Sequence, residues 1–150
     1  MHRVFGKKEE NESYLDRRGA YLIPIRDDMV AVVRTPKGYF LLGGGMDDGE
    51  TDVQCIRREC MEETGCAVGV GERVCSAEKY GKHPTLGWFH PIQTYYLGEL
   101  LRRERIPEED DHRLEWVTYE EIRGRMFSDM QGWAITQCFQ RKLEKERENR

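Results

Sequence analysis

Several things are missing from this chain, and each absence narrows its class. No run of apolar residues approaches the roughly 18 needed to cross a bilayer as a helix. The opening stretch, MHRVFGKKEE, lacks the apolar centre of a secretory leader. The five cysteines (Cys55, Cys60, Cys66, Cys75 and Cys138) are odd in number and form no C-x-x-C pair. Neither a disulfide framework nor a zinc site is indicated, and reduced, mostly buried thiols are expected. An excess of positive charge is also missing, since Lys+Arg 24 against Asp+Glu 28 leaves −4. An extended nucleic acid is therefore not the expected partner. No repeat, low-complexity tract or internal linker is visible. These absences lead to the expectation of one domain over residues 1–150, cytoplasmic, off the membrane, and a monomer or homodimer.

What is present is a globular composition, 38% hydrophobic and 35% charged. A chain this long can bury roughly 68–70% of its unfolded surface. Residues 1–16 are polar and read as a loose lead-in. Strands are expected at 19–25, 29–34 and 39–42, with Pro24 suggesting an edge or a bulge. A glycine-rich loop, 43–49, follows. Thr51 and Gln54 then have capping-box spacing and Gly65 suits a left-handed cap, so a helix is expected between them. Its apolar stripe is Val53, Ile56, Cys60 and Thr64. Later strands are expected within 68–80, 88–101 and 114–118, then a helical turn at 119–122. A C-terminal helix is expected from Met130 to about Glu148, its charged end at 141–150 in solvent. The order of elements indicates α/β with a mixed sheet.

The helix carries the chemistry. Glu59, Glu62 and Glu63 are related by i, i+3 and i+4 and share an arc of roughly 100°, expected to face away from the apolar stripe. Like charges at this spacing cost a few tenths of a kcal/mol per pair. A hard divalent cation relieves them, Mg²⁺ first and Mn²⁺ second. Solvated glutamates are the plain alternative for such a pattern alone. Here a glycine-rich loop runs straight into the helix, and such loops bring backbone N–H groups close to phosphate. Gly43, Gly44 and Gly45 are the candidates for that contact. Carboxylates beside a phosphate-binding loop suit metal-assisted phosphoryl chemistry.

The stretch Gly43–Cys66, GGGMDDGETDVQCIRRECMEETGC, resembles the Nudix hydrolases, whose pattern is G-x5-E-x7-R-E-U-x-E-E-x-G-U with U a bulky apolar residue. Gly44, Glu50, Arg58, Glu59, Glu62, Glu63 and Gly65 match every fixed position. With each residue type at about 7% of composition, seven such matches arise by chance with a probability on the order of 10⁻⁸ per start site. Cys60 and Cys66 replace the usual Ile, Leu or Val, and Leu42 replaces the proline common before the paired glycines.

The resemblance implies an α/β/α sandwich over about residues 17 to 140 and hydrolysis of a pyrophosphate bond in a small nucleotide. It implies that Glu59, Glu62 and Glu63 hold metal, with Glu50 as a supporting or bridging carboxylate. Glu62 or Glu59 would activate water, and Arg58 would hold a box carboxylate in place. Family members often add a carboxylate from the loop before a late strand, here Glu108-Glu109-Asp110-Asp111 ahead of Trp116. Glu109 and Asp110 are the first candidates.

Tyr80, His83, Trp88, Phe89 and His90 are candidates to stack on a base, Trp88 foremost. Packing within a hairpin is the plainer reading for them. Arg17, Arg18 and Arg34 are candidates to touch phosphate. Two other classes share the fold: an isomerase, which needs a placed reactive cysteine, and a non-catalytic nucleotide-sensing module, which often lacks a box glutamate. The proline that the family's ADP-ribose enzymes carry downstream of the box is met here by Lys82.

Overall fold

β-Branched and aromatic residues concentrate where this chain is extended, and glycine marks many of its turns. The computed structural model describes residues 1–108 and 110–150. Its strands are β1 (His2–Phe5), β2 (Leu15–Arg26), β3 (Met29–Thr35), β4 (Gly38–Phe40), β5 (Leu42–Gly45), β6 (Cys66–Lys79), β7 (Gly81–His83), β8 (Gly87–Arg103) and β9 (Arg113–Thr118). Its helices are α1 (Asp52–Thr64), α2 (Tyr119–Ile122) and α3 (Asp129–Glu148). The strands form a mixed sheet along the path β1-β6-β8-β2-β3-β4, with β5 on β2, β7 on β8 and β9 on β3. β1 with β6 and β2 with β8 run parallel.

Alternation along the central strands sorts side chains to two sides. Ala20, Leu22, Ala31 and Val33 pack in one cluster with Ile56 and Cys60 of α1. Ile23, Val30, Val32 and Tyr95 pack in the other with Ile135 and Cys138 of α3. The sheet is thus the middle layer of an α/β/α sandwich, the fold expected. Each large aliphatic side chain buried this way contributes about 1.5–3 kcal/mol. Ile56→Ala, at a fully buried site against the sheet, should cost about 2–5 kcal/mol through lost contacts and a cavity.

The structure corrects several local expectations. The first residues are not a loose lead-in. His2–Phe5 pair in register with Ser76–Lys79, because the open edge of β6 offers backbone groups that a short strand can satisfy. Pro24 is not at an edge. It is buried, opposite Gly98, between Leu22, which pairs with β5, and Ile25, which pairs with β3. The missing donor falls where the antiparallel ladder is interrupted anyway. Gly43–Gly45 are not a loop but most of β5, with Gly45 opposite Gly19 and Gly43 opposite Tyr21. On α1 the buried residues are Cys55, Ile56, Cys60, Glu63 and Thr64, while Val53 is only partly covered. The helix packs against the β5 edge as well as the sheet face, which draws Cys55 and Glu63 inward. The charged end of α3 is tethered, since Arg141 and Lys145 both pair with Glu72 of β6, at 3.0 and 2.6 Å.

Candidate functional site

Local sequence sets both ends of α1. The Thr51 side chain accepts from the Gln54 N–H, and the Gln54 side chain accepts from the Thr51 N–H. Gly65 ends the helix at φ 72°, a conformation in which glycine has no Cβ penalty. Two carbonyls at that end accept from the segment between β8 and β9. The Glu108 N–H donates to Glu62 O at 2.9 Å, and the Glu104 N–H to Gly65 O at 2.8 Å. These bonds satisfy acceptors that a helix end leaves orphaned, and they dock the acidic segment beside the helix.

Arg58 stands among the carboxylates. Its Nε and Nη2 donate to the two oxygens of Glu50 at 2.6 and 2.9 Å, a bidentate fork. Nη1 donates to Glu59 at 2.9 Å, and Glu62 lies 3.4 Å from the same nitrogen. Nη2 also donates to Gly45 O at 3.0 Å, which ties the cluster to β5. The fork from Arg58 holds the Glu50 carboxyl down at about 2, and Glu50 in turn pushes the guanidinium further up. The three helix glutamates do not all turn away from the apolar stripe, because Glu63 is buried along with Ile56 and Cys60. Glu63 is buried at 8% exposure, and its Oε1 accepts from the Gly43 N–H at 3.0 Å. That N–H is therefore directed at a carboxylate.

Glycine at position 44 is a packing requirement. A Cβ there would come within 2.5 Å of Glu59 Cδ. The bare backbone makes a cradle for the Glu59 carboxylate against β5. The donors gathered here, Glu50, Glu59, Glu62 and Glu63, are all hard oxygens, which fits a divalent cation of the Mg²⁺ type. Among the described residues, no three His, Cys, Asp or Glu side chains stand in a completed metal cage. In this arrangement Arg58 is what balances Glu50, Glu59 and Glu62.

Of the acidic segment, the structure brings Asp111 and His112 to the site. His112 Nδ1 lies 3.9 Å from Glu63 Oε2, and His112 Nε2 lies 3.7 Å from Asp111 Oδ1. Glu108 pairs with Arg105 at 3.5 Å. Glu109 lies outside the described residues. His112 was missed by the sequence reading, and its only signal was its place directly after the acidic run. A cavity of about 380 Å³ opens beside Glu63, lined by Tyr21, Lys37, Phe40, Asp111 and His112 among others. A smaller one, about 120 Å³, lies on the Arg17 side of Tyr21.

Trp88 is not gathered with these groups. It precedes Phe89, which is opposite Leu15, whereas Gly45 is opposite Gly19. Five strand positions separate the two levels, about 16 Å at 3.3 Å per residue. The Trp88 ring packs against Tyr14 at 5.5 Å, and Lys82 lies over it at 4.9 Å. Arg34 pairs with Glu115 at 3.5 Å. All five cysteines are free and buried. Burial pushes the Cys55 thiol up to about 11, so it is not an activated nucleophile of the kind an isomerase needs.

A family model described as the NUDIX domain matches residues 15–137. Comparison with curated proteins gives no match. Among solved structures, the chain is similar to a MutT NUDIX hydrolase from Burkholderia pseudomallei, with TM-score 0.68 and 21% identity, covering 82% of this chain and 98% of that one. It is similar to an ADP-ribose pyrophosphatase from Streptococcus suis, with TM-score 0.64 and 15% identity over 84% and 91% of the two chains. A UDP-X diphosphatase gives TM-score 0.67 at 15% identity over 91% and 68%. At these identities the likeness establishes the fold, while the family follows from the domain match over most of the chain and the complete glutamate box within it. The chain belongs to the NUDIX family of pyrophosphohydrolases.

Proposed function

We propose that the protein hydrolyses a phosphoanhydride bond in a free nucleoside triphosphate or a small nucleoside diphosphate derivative, with Mg²⁺, or Mn²⁺ in its place. The observation that carries this reading is the Arg58-centred set of carboxylates against the β5 glycines. Glu59, Glu62 and Glu63, supported by Glu50, would hold the cation. Bound there, it supplies positive charge to the diphosphate oxygens and makes a bound water more acidic.

The rest belongs to the chain. Arg58 keeps Glu50, Glu59 and Glu62 within one reach, so that they are positioned before substrate arrives. Glu62 or Glu59 takes a proton from the attacking water. The water oxygen bonds to one phosphorus, the bridging P–O bond breaks, and the departing phosphate keeps that bond's electron pair. Gly43, Gly44 and Gly45 keep β5 free of side chains where the diphosphate approaches. Products would be a nucleoside monophosphate with pyrophosphate, or with the phosphorylated second group.

A compact substrate is supported by the cavity of about 380 Å³ beside Glu63, near the lower end of the roughly 300–1,000 Å³ usual for small ligands. The net charge of −4 argues in the same direction. Two of the structural neighbours, an ADP-ribose pyrophosphatase and a UDP-X diphosphatase, are in keeping with a small nucleotide substrate. A panel of nucleoside triphosphates, nucleoside diphosphate sugars, dinucleoside polyphosphates and capped RNA, read by product mass, tests the reading. Turnover of a small nucleotide is expected. Clean turnover of capped RNA alone would overturn the substrate class.

A further inference from the structure

The side of β5 turned from Glu59 is built differently. A Cβ on Gly43 or on Gly19 would come within 3.0 Å of the Tyr21 ring, and one on Gly45 within 2.8 Å of Arg17 Nε and Nη2. The ring and the guanidinium lie against backbone that glycine leaves bare. The Arg17 side chain makes no ion pair and no hydrogen bond among the described residues. This sets it apart from Arg58 and Arg141, which each hold several carboxylates.

Beside Arg17, the amide of Gln93 is oriented by a chain of bonds that begins at a backbone donor. The Leu41 N–H donates to Gln131 Oε1 at 2.8 Å, which identifies Gln131 Nε2 as the donor to Gln93 Oε1 at 3.4 Å. The Tyr95 hydroxyl donates to the same oxygen at 2.7 Å, and burial pushes that phenol up so that it keeps its proton. The Gln93 carbonyl is thus fully used, and its NH₂ remains for the cavity of about 120 Å³ that it lines with Arg17, Arg18, Gly45 and Phe89. Among the described residues, no acidic side chain lines that cavity. It offers guanidinium and amide donors one residue along β5 from the Gly44 cradle of Glu59.

We propose that this cavity is an anion subsite for a phosphoryl group beyond the bond that is cut, with Arg17 as its specificity-determining contact. Its volume suits a phosphoryl group and excludes a nucleobase with its ribose. It favours nucleoside triphosphates over nucleoside diphosphate sugars, which carry no third phosphoryl group. The inference rests on the pyrophosphohydrolase reading above.

Arg17 is exposed, so Arg17→Ala and Arg17→Lys should fold normally, which a melting curve checks. In Arg17→Ala, KM for a nucleoside triphosphate should rise at least about tenfold with kcat within about twofold. KM for a nucleoside diphosphate hexose should stay within about twofold, and Arg17→Lys should recover part of the loss. Equal KM changes for both substrates, or none, would overturn the subsite. Calorimetric binding of inorganic tripolyphosphate in chelator gives a readout that needs no turnover, and Arg17→Ala should weaken it at least about tenfold. Unchanged binding would overturn the proposal. Arg17-dependent binding in a wild type that cleaves no nucleotide would uphold the subsite and overturn the pyrophosphohydrolase reading.

Discussion

Two regions of this molecule concentrate polar and aromatic chemistry, and they are built on opposite terms. At the hairpin of β7 and β8, the Tyr80 ring stacks on His90 at 4.2 Å, Tyr14 meets Tyr80 at its edge, and His90 lies between Asp16 and Glu78 at 2.8 and 3.0 Å. These groups complete one another. Around Arg58, by contrast, the chain forces like charges together: Glu50, Glu59 and Glu62 approach one guanidinium, while Glu63 is buried nearby. One guanidinium among several carboxylates leaves an excess of negative charge, which Arg58 offsets only in part and the rest of the fold keeps in place. A functional site is better marked by charges kept close at a cost than by the number of reactive residue types.

The most severe way to break the contrast is at the carboxylates. Glu62→Gln or Glu59→Gln should lower kcat by at least about 10²-fold with the melting temperature nearly unchanged, as expected for loss of a metal-site or general-base group. Near-normal turnover would remove that residue from the chemistry. Arg58→Met, which leaves three carboxylates facing one another, should lose comparable activity and also about 2 kcal/mol of stability, measured by urea unfolding.

Gly44→Ala sharpens the comparison without touching a charge. Its Cβ must displace the Glu59 carboxylate, since the contact would otherwise be 2.5 Å. A fall of about tenfold in kcat with a small change in stability is expected, read by steady-state kinetics and thermal melts. A wild-type rate would mean that the cradle does not position Glu59.

Acid pH separates the regions further. Arg58 holds the Glu50 carboxyl at about 2 against an ordinary 4.5. Ionised Glu50 therefore favours the folded state above about pH 4.5, and that contribution is lost as pH falls from there toward 2. The stability gap between wild type and Glu50→Gln should be widest near neutral pH and close over that window, followed by denaturant midpoints. A gap independent of pH would contradict the pairing. The smallest effect belongs to the hairpin: Trp88→Ala should leave kcat and KM within about threefold, the scale of a change outside a site. A tenfold rise in KM would bring the hairpin into the substrate site.

Much of the catalytic region was legible in the sequence because its signals are local. Thr51, Gln54 and Gly65 bound α1 through bonds spanning only a few residues. The spacing of Glu59, Glu62 and Glu63 put them on neighbouring turns before any fold was known. What could not be read depended on distant segments. Gly43–Gly45 look like a loop until Gly19–Tyr21 are seen opposite them, and glycine is the least expected residue in a strand. Glu63 looks exposed until β5 covers it. His112 comes beside Glu63 only through docking of the acidic segment, a contact with no trace in local periodicity, and Arg17, a phosphate candidate by residue type alone, lies against Gly45 only through the β2–β5 pairing.

The central claim is that the carboxylate box cuts a phosphoanhydride with the help of a divalent cation. Turnover of a nucleoside triphosphate in water labelled with heavy oxygen, first with chelator and then with excess Mg²⁺, tests it most directly. The account predicts no product with chelator, product on adding Mg²⁺, one labelled oxygen on a phosphate of one product, and almost none of this in Glu62→Gln. Undiminished turnover in chelator, or an equal rate in Glu62→Gln, would contradict it.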